Sequence, residues 1–262
     1  MLDLTAFLAL MHGLPAEVSW VVLLLLCFGA VLGLMGAFGA AGLQAYIAIA
    51  VIGANIQVLK PVQFSVFAEP VALGTILFAS TYLATDILAE HYGKAEARKG
   101  VFLGFSGFLF WTLLMVITVG FPPMSPEQAG EALGWALPVH DAMALLFLPT
   151  PILFLASMSS YLISQLNDVW LFDKLRAATQ GRKLWLRNNV STMVSSLLDN
   201  VVFNLLAWIV LAPVPLPFWT VMTTYILGTY ALRVVVALLD TPFMYLARFM
   251  LRPEERRMAV TQ

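Results

Sequence analysis

Seven apolar stretches dominate this sequence and constrain its fold more than any other feature. A helix needs about 20 residues to cross the ~30 Å hydrocarbon core of a bilayer, and it satisfies its own backbone N–H and C=O groups there. We therefore predict an all-α fold, a polytopic transmembrane helix bundle of about seven spans. The predicted spans are residues 18–38, 40–58, 70–89, 100–120, 142–166, 188–212 and 218–247.

The composition leaves little room for a separate soluble domain. Charged residues make up only 11% of the 262 residues, against about 25% in soluble domains. We predict a single transmembrane domain over residues 18–250. The apolar part of residues 1–17 is too short to cross a bilayer, so an interfacial or disordered segment is expected there. Residues 251–262 are expected to form a cytoplasmic C-terminal tail.

The basic residues are distributed unevenly between the two ends of the predicted spans. Twelve of the fourteen Lys and Arg residues follow the third, fifth or seventh span, and these three spans end on the same side. Because Lys and Arg accumulate in cytoplasmic loops, this side is predicted to be cytoplasmic. We expect a multi-pass membrane protein with its N-terminus outside and its C-terminus inside.

The sixth predicted span carries a stripe of polar side chains that is unusual for a helix in lipid. Asn188, Thr192, Ser195 and Asp199 follow at steps of four, three and four residues, which places them on one helix face, and Asn189 lies beside them. An Asp at the bilayer centre costs about 2.5–3.5 kcal/mol on insertion scales. A helix that keeps this many polar groups is expected to line a hydrated cavity or to bind a polar ligand.

The seventh predicted span contains Arg233 near its middle. An unpaired Arg at that depth is expensive, so Asp199 is its expected partner. Two interpretations remain open for this pair. It either fixes the register of two helices as a buried ion pair, or it borders a substrate cavity. The many neighbouring amides and hydroxyls favour the cavity.

Further polar residues occur in three other predicted spans. Asp86 and Glu90 are four residues apart and therefore neighbours on one helix face, where two carboxylates need a cation, a proton or a donor-rich ligand. Gln165 and Asp168 lie near the end of the fifth span, and Asn55 lies near the end of the second. For each of them a structural tie to a basic loop or a water-facing helix end is the alternative to ligand contact.

The sequence lacks the motifs of the common hydrolases and metalloenzymes. No GxSxG, HExxH or phosphate-binding glycine loop is present, and His12, His91 and His140 are scattered rather than paired at metal-ligand spacing. Cys27 is the only cysteine, which excludes an internal disulfide. We therefore predict that the protein is not an enzyme and that it has no catalytic residue, metal or cofactor.

Three sequence segments, in a fixed order, resemble a known family. They are LATDILAEHYGKAEAR (residues 83–98), SQLNDVWLFDKLR (164–176) and LWLRNNVSTMVSSLLD (184–199). Over roughly residues 55–245 the chain resembles the queuosine precursor transporter family, also known as the putative vitamin uptake transporter family. The residues that match are Thr85, Asp86, Glu90, Tyr92, Gly93, Ala97, Arg98, Ser164, Gln165, Asp168, Val169, Phe172, Arg176, Trp185, Leu186, Arg187, Asn188, Asn189, Ser191, Thr192 and Asp199.

The resemblance implies an importer in the cell inner (plasma) membrane. Its substrates would be 7-deazaguanine precursors of queuosine, such as 7-cyano-7-deazaguanine, its aminomethyl form or the base queuine. It also implies a six-helix core like that of the substrate-binding subunits of vitamin importers, working without their ATPase module. The expected partners are a small deazapurine and the lipid bilayer. A homodimer is compatible with the sequence, and no direct nucleic-acid binding is expected.

The polar residues can be matched to such a substrate by their chemistry. A carboxylate accepts from the adjacent N–H donors of a guanine-like edge, amides or Arg donate to its carbonyl, and aromatic rings stack on it. We expect Asp199 or Glu90 at the donor edge and Phe203, Trp185 or Tyr161 against the ring. The predicted substrate-binding residues are Asp199, Glu90, Asp86, Asn188, Asn189, Gln165, Arg233, Asn55, Asp168, Thr192 and Ser195.

Other functions remain open from the sequence alone. The chain could be a substrate-binding subunit that delivers its ligand to a separate energising complex, or an importer of another small vitamin-like heterocycle. An intramembrane enzyme and a structural protein whose polar stripes only hold helices together are further alternatives.

Overall fold

A computed structural model describes residues 3–65, 70–148 and 151–251 of the chain. Its elements in chain order are α1 (Leu4–His12), α2 (Ala16–Phe38), α3 (Ala40–Gln57), β1 (Pro61–Val62), β2 (Val71–Ala72), α4 (Gly74–His91), α5 (Lys94–Gly120), α6 (Pro126–Ala129), a 3-10 turn (Gly134–Ala136), α7 (Val139–Phe147), α8 (Pro151–Ala178), α9 (Leu184–Leu205), α10 (Phe218–Thr220) and α11 (Gly228–Met250). The strands β1 and β2 pair antiparallel. A π-helical turn, Leu206–Val210, extends α9, and a second, Val221–Leu227, joins α10 to α11.

The long helices of the described chain run back and forth between two ends of one bundle. They are α2, α3, α4, α5, α8, α9 and the continuous helix from α10 to α11. At one end Arg187 binds Glu90 and Lys94 binds Asp173, which brings together the termini of α4, α5, α8 and α9. We call this end, with the exposed Arg98, Lys99, Arg182 and Lys183, the basic end. The opposite end holds the β1–β2 hairpin. We call it the cavity end, because a cavity opens there.

The predicted all-α membrane bundle is confirmed. Within the described ranges, five helices are long and apolar enough to cross a membrane, and a sixth span results if α7 and α8 are counted as one bent span. The third predicted span corresponds to α4, which does not meet that test. Twelve of its eighteen residues are buried, among them Thr81, Thr85 and Asp86. Neighbouring helices surround α4, so it can carry polar groups that lipid would not tolerate.

The fifth predicted span, residues 142–166, is wrong in its bounds. The structure has a short helix α7 that ends at Phe147 and a long helix α8 that begins at Pro151, with a bend of 46° between the two helical segments. The sequence places prolines at 149 and 151, and proline cannot donate the backbone hydrogen bond that a helix interior requires. As a result α8 starts later and continues to Ala178, beyond the predicted end.

The turn between α2 and α3 has no charged residue, yet the backbone defines it sharply. Gly39 adopts a positive φ of 62°, a conformation that glycine reaches without a side-chain clash. α2 and α3 then pack together, and their buried Phe28, Met35, Leu43 and Ile47 form part of a core shared with α4 and α11. Phe28 contacts Phe243 of α11 with ring centroids 4.8 Å apart.

The N-terminal helix lies outside this core. Residues 4–12 form α1, in which no residue is buried. Of the predicted tail, residues 251–262, only Leu251 falls within the described residues.

Candidate functional site

A cavity of about 370 Å³ opens at the cavity end of the bundle. Its walls come from the ends of α3 and α5, the starts of α4 and α8, and the segment of α9 that leads into its π-helical turn. Pockets for small ligands typically measure about 300–1,000 Å³ and combine apolar walls with a few polar groups. This cavity therefore has the size and position of a binding site for one small molecule.

An ion pair lies among the residues that line the cavity. Arg233 Nη1 donates to Asp199 Oδ2 at 2.6 Å, and the side chains are 15% and 14% exposed. Within the described part of the chain, the other oxygen of Asp199 accepts one long hydrogen bond of 3.4 Å, from the hydroxyl of Ser164. The predicted pairing of these two residues is confirmed. The position of the pair favours the interpretation that it borders a cavity, because both side chains line that space.

A chain of side-chain hydrogen bonds runs along α9 from Asn200, the residue that follows Asp199. The side-chain nitrogen of Asn204 donates to Asn200 Oδ1 at 2.8 Å, and Trp208 Nε1 donates to Asn204 Oδ1 at 3.1 Å. The nitrogen of Asn200 donates to the carbonyl of Ile226 and to Thr229 Oγ1. These residues follow at steps of four, so they form one face of α9 that lines the cavity.

On the opposite wall, α3 and α8 are joined by another polar contact. The hydroxyl of Ser157 donates to Asn55 Oδ1 at 2.7 Å, and the amide nitrogen of Asn55 donates to the carbonyl of Val51. Ser157 and Asn55 both line the cavity, as does Ser160. Polar groups thus face the cavity from both sides.

Aromatic rings cover much of the remaining wall. Trp208 and Tyr225 lie with ring centroids 5.7 Å apart, and Phe108 and Phe154 stack at 5.7 Å. The aromatic residues that line the cavity are Phe78, Phe108, Trp111, Phe147, Phe154, Phe203, Trp208 and Tyr225. Trp208 and Tyr225 belong to the two π-helical turns, a form of local helix widening that is frequent at functional sites.

The structure brings three of the predicted substrate-binding residues to this cavity, namely Asp199, Arg233 and Asn55. The other eight do not line it, so the structure does not bring all the predicted residues to one pocket. They lie closer to the basic end, in helix-to-helix contacts. These residues are Glu90, Asp86, Asn188, Asn189, Gln165, Asp168, Thr192 and Ser195.

Most of these eight residues bind other protein groups. Glu90 is held by Arg187, which donates from Nη2 at 2.5 Å and from Nε at 3.1 Å. The side chain of Gln165 donates to Thr81 Oγ1 at 2.7 Å. The amide of Asn189 donates to Thr241 Oγ1, and Ser195 accepts from Asn167.

The deepest of them form a buried cluster that we call the polar layer, defined as Asp86, Asp168, Asn188, Thr192 and Asp240. Thr192 donates to Asp86 Oδ2 at 3.3 Å, and the Asn188 amide donates to Asp240 Oδ1 at 2.6 Å. All five side chains are at most 3% exposed. A small void of about 10 Å³, lined by Thr192, Asp240, Ser196 and Arg233, lies between the polar layer and the cavity.

Of the three expected stacking residues, only Phe203 lines the cavity. Tyr161 is buried with its hydroxyl donating to the Val101 carbonyl, and Trp185 is 52% exposed. Sequence reasoning missed Asn204, Trp208 and Tyr225 as cavity residues. For Asn204 and Trp208 a signal was present, since they continue the spacing of four that starts at Asn200.

Within residues 3–65, 70–148 and 151–251, no group of three or more His, Cys, Asp or Glu side chains is arranged to hold a metal ion. The polar groups at the cavity are carboxylate, amide, hydroxyl and guanidinium groups. Such a set can both donate hydrogen bonds to a polar ligand and accept them from it.

Comparisons with known proteins agree with this picture. The family model described as "Putative vitamin uptake transporter" matches residues 72–247. The chain is 33% identical over 238 residues to the probable queuosine precursor transporter of Bacillus subtilis (strain 168), which covers 90% of this chain and 96% of that protein. It is 24% identical over 160 residues to the queuosine precursor transporter of Escherichia coli (strain K12), covering 61% and 64%. No solved structure matches the chain significantly.

Proposed function

Because this chain belongs to the putative vitamin uptake transporter family, we propose that it imports queuosine precursors across the cell inner membrane. The observation that carries the substrate assignment is the Asp199–Arg233 pair facing an aromatic-walled cavity. A 7-deazaguanine is flat, uncharged in its ring, and has a donor edge beside a carbonyl. The cavity offers an acceptor, a donor and stacking surfaces to match these three features.

Asp199 is the proposed acceptor for the donor edge of the substrate. Its Oδ1 has only the long contact with Ser164, so it can accept from a ligand N–H while Oδ2 remains bound to Arg233. A guanine-like edge has adjacent N–H donors, which suits a carboxylate, and its carbonyl oxygen suits Arg233 or one of the cavity amides. Asn55 lies across the cavity and is proposed to contact another part of the same ligand.

The aromatic residues at the cavity are proposed to hold the ring system. Phe203 lies one turn along α9 from Asp199, so a base bound to the carboxylate reaches its ring. Stacking of a base on an aromatic side chain contributes about 1–3 kcal/mol and tolerates variation in the ring substituents. Such tolerance accommodates the nitrile, the aminomethyl form and queuine in one site.

The cavity is proposed to face the outside of the cell. The basic end carries most of the Lys and Arg residues, so the positive-inside rule directs it to the cytoplasm and the cavity end outward. The basic end is closed, because Arg187 binds Glu90 and also donates to the carbonyls of Gly181 and Arg182. The structure thus supports an outward-open state with its cytoplasmic side shut.

The predicted site residues away from the cavity are proposed to act later in transport. They lie between the cavity and the basic end, where a substrate passes once the cytoplasmic side opens. Alternating access in transporters generally moves helices around a central site. The residues in this group are Glu90, Asp86, Asn188, Asn189, Gln165, Asp168, Thr192 and Ser195.

The proposal is tested by uptake of labelled precursor in cells that cannot make it and that express this chain. We expect uptake of unchanged precursor, inhibited by each unlabelled 7-deazaguanine, and a loss of at least tenfold in Asp199→Asn. Asp141 is an exposed carboxylate on α7, so Asp141→Asn is the matched control and should retain uptake. Normal uptake by Asp199→Asn would contradict the proposed site. No uptake by the native chain would contradict the function.

Purified protein in liposomes separates a self-sufficient transporter from a binding subunit. We expect exchange of labelled for unlabelled precursor across the liposome membrane with no other protein present. Binding without exchange would instead indicate a subunit that passes its ligand to an energising complex. Recovery of the label in a new compound would indicate an enzyme.

A further inference from the structure

Three carboxyl groups meet in the polar layer, each from a different helix. Asp86 comes from α4, Asp168 from α8 and Asp240 from α11, and each is at most 1% exposed. The carboxyl groups of Asp86 and Asp168 are close enough to interact directly with one another. Asp240 is close enough to interact electrostatically with both. An arrangement of this kind is costly in a low-dielectric interior unless a positive charge is present.

The acceptors around the Asp86–Asp168 pair outnumber the donors. Among the described residues, both oxygens of Asp168 and Oδ1 of Asp86 accept no hydrogen bond. The amide oxygen of Asn188, whose nitrogen donates to Asp240, is likewise without a donor. The hydroxyls of Ser191 and Ser195 both lie beside Asp168. That of Ser191 donates to the Asn188 carbonyl, and that of Ser195 accepts from the Asn167 amide, so the Ser195 proton is the one hydroxyl donor left for four such acceptors among the described residues. Buried acceptors without donors are rare in folded proteins, and each requires an explanation.

No basic side chain of the described chain neutralises this pair. Arg187 binds Glu90, Arg233 binds Asp199, and Arg176 donates to the carbonyl of Ala89. The remaining basic residues bind other carboxylates, cover aromatic rings or are exposed: Lys60, Lys94, Arg98, Lys99, Lys174, Arg182, Lys183 and Arg248. Two tyrosines of α3 and α4 also lie in this region. Tyr82 interacts electrostatically with both Asp199 and Asp168, and Tyr46 is hydrogen-bonded to Ser80.

Two carboxylates are both acceptors, so they can form a hydrogen bond with each other only when one of them carries a proton. Carboxylates that share a buried site cannot both ionise at low cost. We infer that the Asp86–Asp168 pair holds one proton and is the coupling-ion site of the transporter, so that precursor import is driven by a proton gradient. This inference rests on the proposed import function.

The structure also provides a route by which the proton reaches the pair. Arg233 borders both the cavity and the small void, and the void also touches Asp240 and Thr192, which binds Asp86. Its volume is on the order of that occupied by one water probe, enough for a single water between polar partners. A proton therefore enters from the outer water through the cavity and the void, binds between the two carboxylates, and leaves to the cytoplasm when the basic end opens.

Proton binding is measured first on the native protein, without transport. Infrared spectroscopy at neutral pH should show the C=O band of a protonated carboxylic acid, and Asp168→Asn and Asp86→Asn should each lose it. Asp141→Asn should leave the band unchanged. Absence of the band from the native protein would overturn the inference, whatever the uptake measurements show.

Coupling is then measured in liposomes that contain purified protein, with the membrane potential clamped. When the pH outside is lower than the pH inside by about one pH unit, a neutral precursor carried with one proton should accumulate about tenfold inside the liposomes. A protonophore should abolish the accumulation, and a sodium gradient at equal pH should produce none. Sodium-driven accumulation, or no response to the pH gradient, would overturn the inference.

Exchange by the native protein separates failure of coupling from failure of import. We expect Asp168→Asn to lose gradient-driven accumulation at least fivefold relative to the native protein. Preserved gradient-driven accumulation in Asp168→Asn would refute the site. Absence of exchange in the native protein would instead refute the import function. Asp168→Glu, which keeps the acid, serves as the rescue variant, and gel filtration verifies that each variant is folded.

Discussion

Arg233 on α11 and Asp199 on α9 meet at 2.6 Å at the boundary between the cavity and the polar layer. The pair joins two helices, and the second carboxylate oxygen, which accepts a long bond from Ser164, belongs to a side chain that lines the cavity. We therefore expect the pair to have a structural and a recognition role at once. The two roles predict different behaviour for single and double variants.

Removal of either partner alone should destabilise the protein, because it leaves a buried charge without compensation. We expect Asp199→Ala and Arg233→Ala each to lower the free energy of unfolding by about 3–5 kcal/mol. The neutral double variant Asp199→Asn/Arg233→Gln should regain most of this stability and still fail to import precursor. The measurements are thermal unfolding in detergent and uptake in cells. If the double variant imports normally, the pair is structural only.

Phe203 should contribute to affinity without affecting the fold strongly, since its side chain borders the cavity. We expect Phe203→Ala to raise the KM for precursor about 5- to 100-fold, the loss of one stacking contact. Phe203→Tyr should keep KM near the native value. Trp219 is 74% exposed and does not line the cavity, so Trp219→Ala is the control and should keep the native KM. An unchanged KM in Phe203→Ala would place the base elsewhere in the cavity.

Much of the bundle was predictable because the lengths of apolar segments correspond to the thickness of a bilayer. The pairing of Asp199 with Arg233 was predictable as well, because an isolated Arg near mid-span is costly. The break between α7 and α8 was missed, since the apolar run continues through the prolines at 149 and 151. Hydropathy averages over such a run and does not register a single lost hydrogen bond.

The extent of the candidate site could not be predicted from helix faces alone. Asn188 and Asp199 share a face of α9, but eleven residues of helix separate them by about 16 Å along its axis. A cavity for one small molecule cannot contact both. Depth along the helix, which depends on how the neighbouring helices end, decides which polar residues reach the cavity and which bind each other.

The Glu90–Arg187 pair should show strong energetic coupling because both groups are largely buried. Their side chains are 16% and 2% exposed, and the guanidinium forms two bonds to the carboxylate. We expect the two single alanine variants to be less stable than the native protein, and the double variant to be more stable than the sum of the two losses predicts. The coupling energy from the double-mutant cycle should be about 1–3 kcal/mol.

The same pair is expected to keep the cytoplasmic side closed. In liposomes, Glu90→Gln should therefore raise the accessibility of a cysteine placed at Ser191 to a thiol reagent inside the vesicle. The native Cys27 is 6% exposed, so its background labelling is low, and Cys27→Ala removes it. The control is Lys99→Ala, which removes the more exposed ion pair between Lys99 and Glu96. Equal labelling of the introduced cysteine with Glu90 intact and with Glu90→Gln would show that the Glu90–Arg187 pair does not close the cytoplasmic side.

Two glycines of α5 should respond very differently to one added methyl group. A Cβ at Gly104 would meet the Tyr161 hydroxyl, a methyl of Ile47 at 3.0 Å and a methyl of Val51 at 3.2 Å. A Cβ at Gly107 would find only ordinary contact, 3.7 Å from Ala48. Because overpacking of a buried contact costs about 1–3 kcal/mol, Gly104→Ala should unfold at lower temperature than the native protein. Gly107→Ala should unfold at the native temperature or above, since alanine favours the helix. Equal unfolding temperatures for the two variants would show that α5 does not approach α3 and α8 as closely as described.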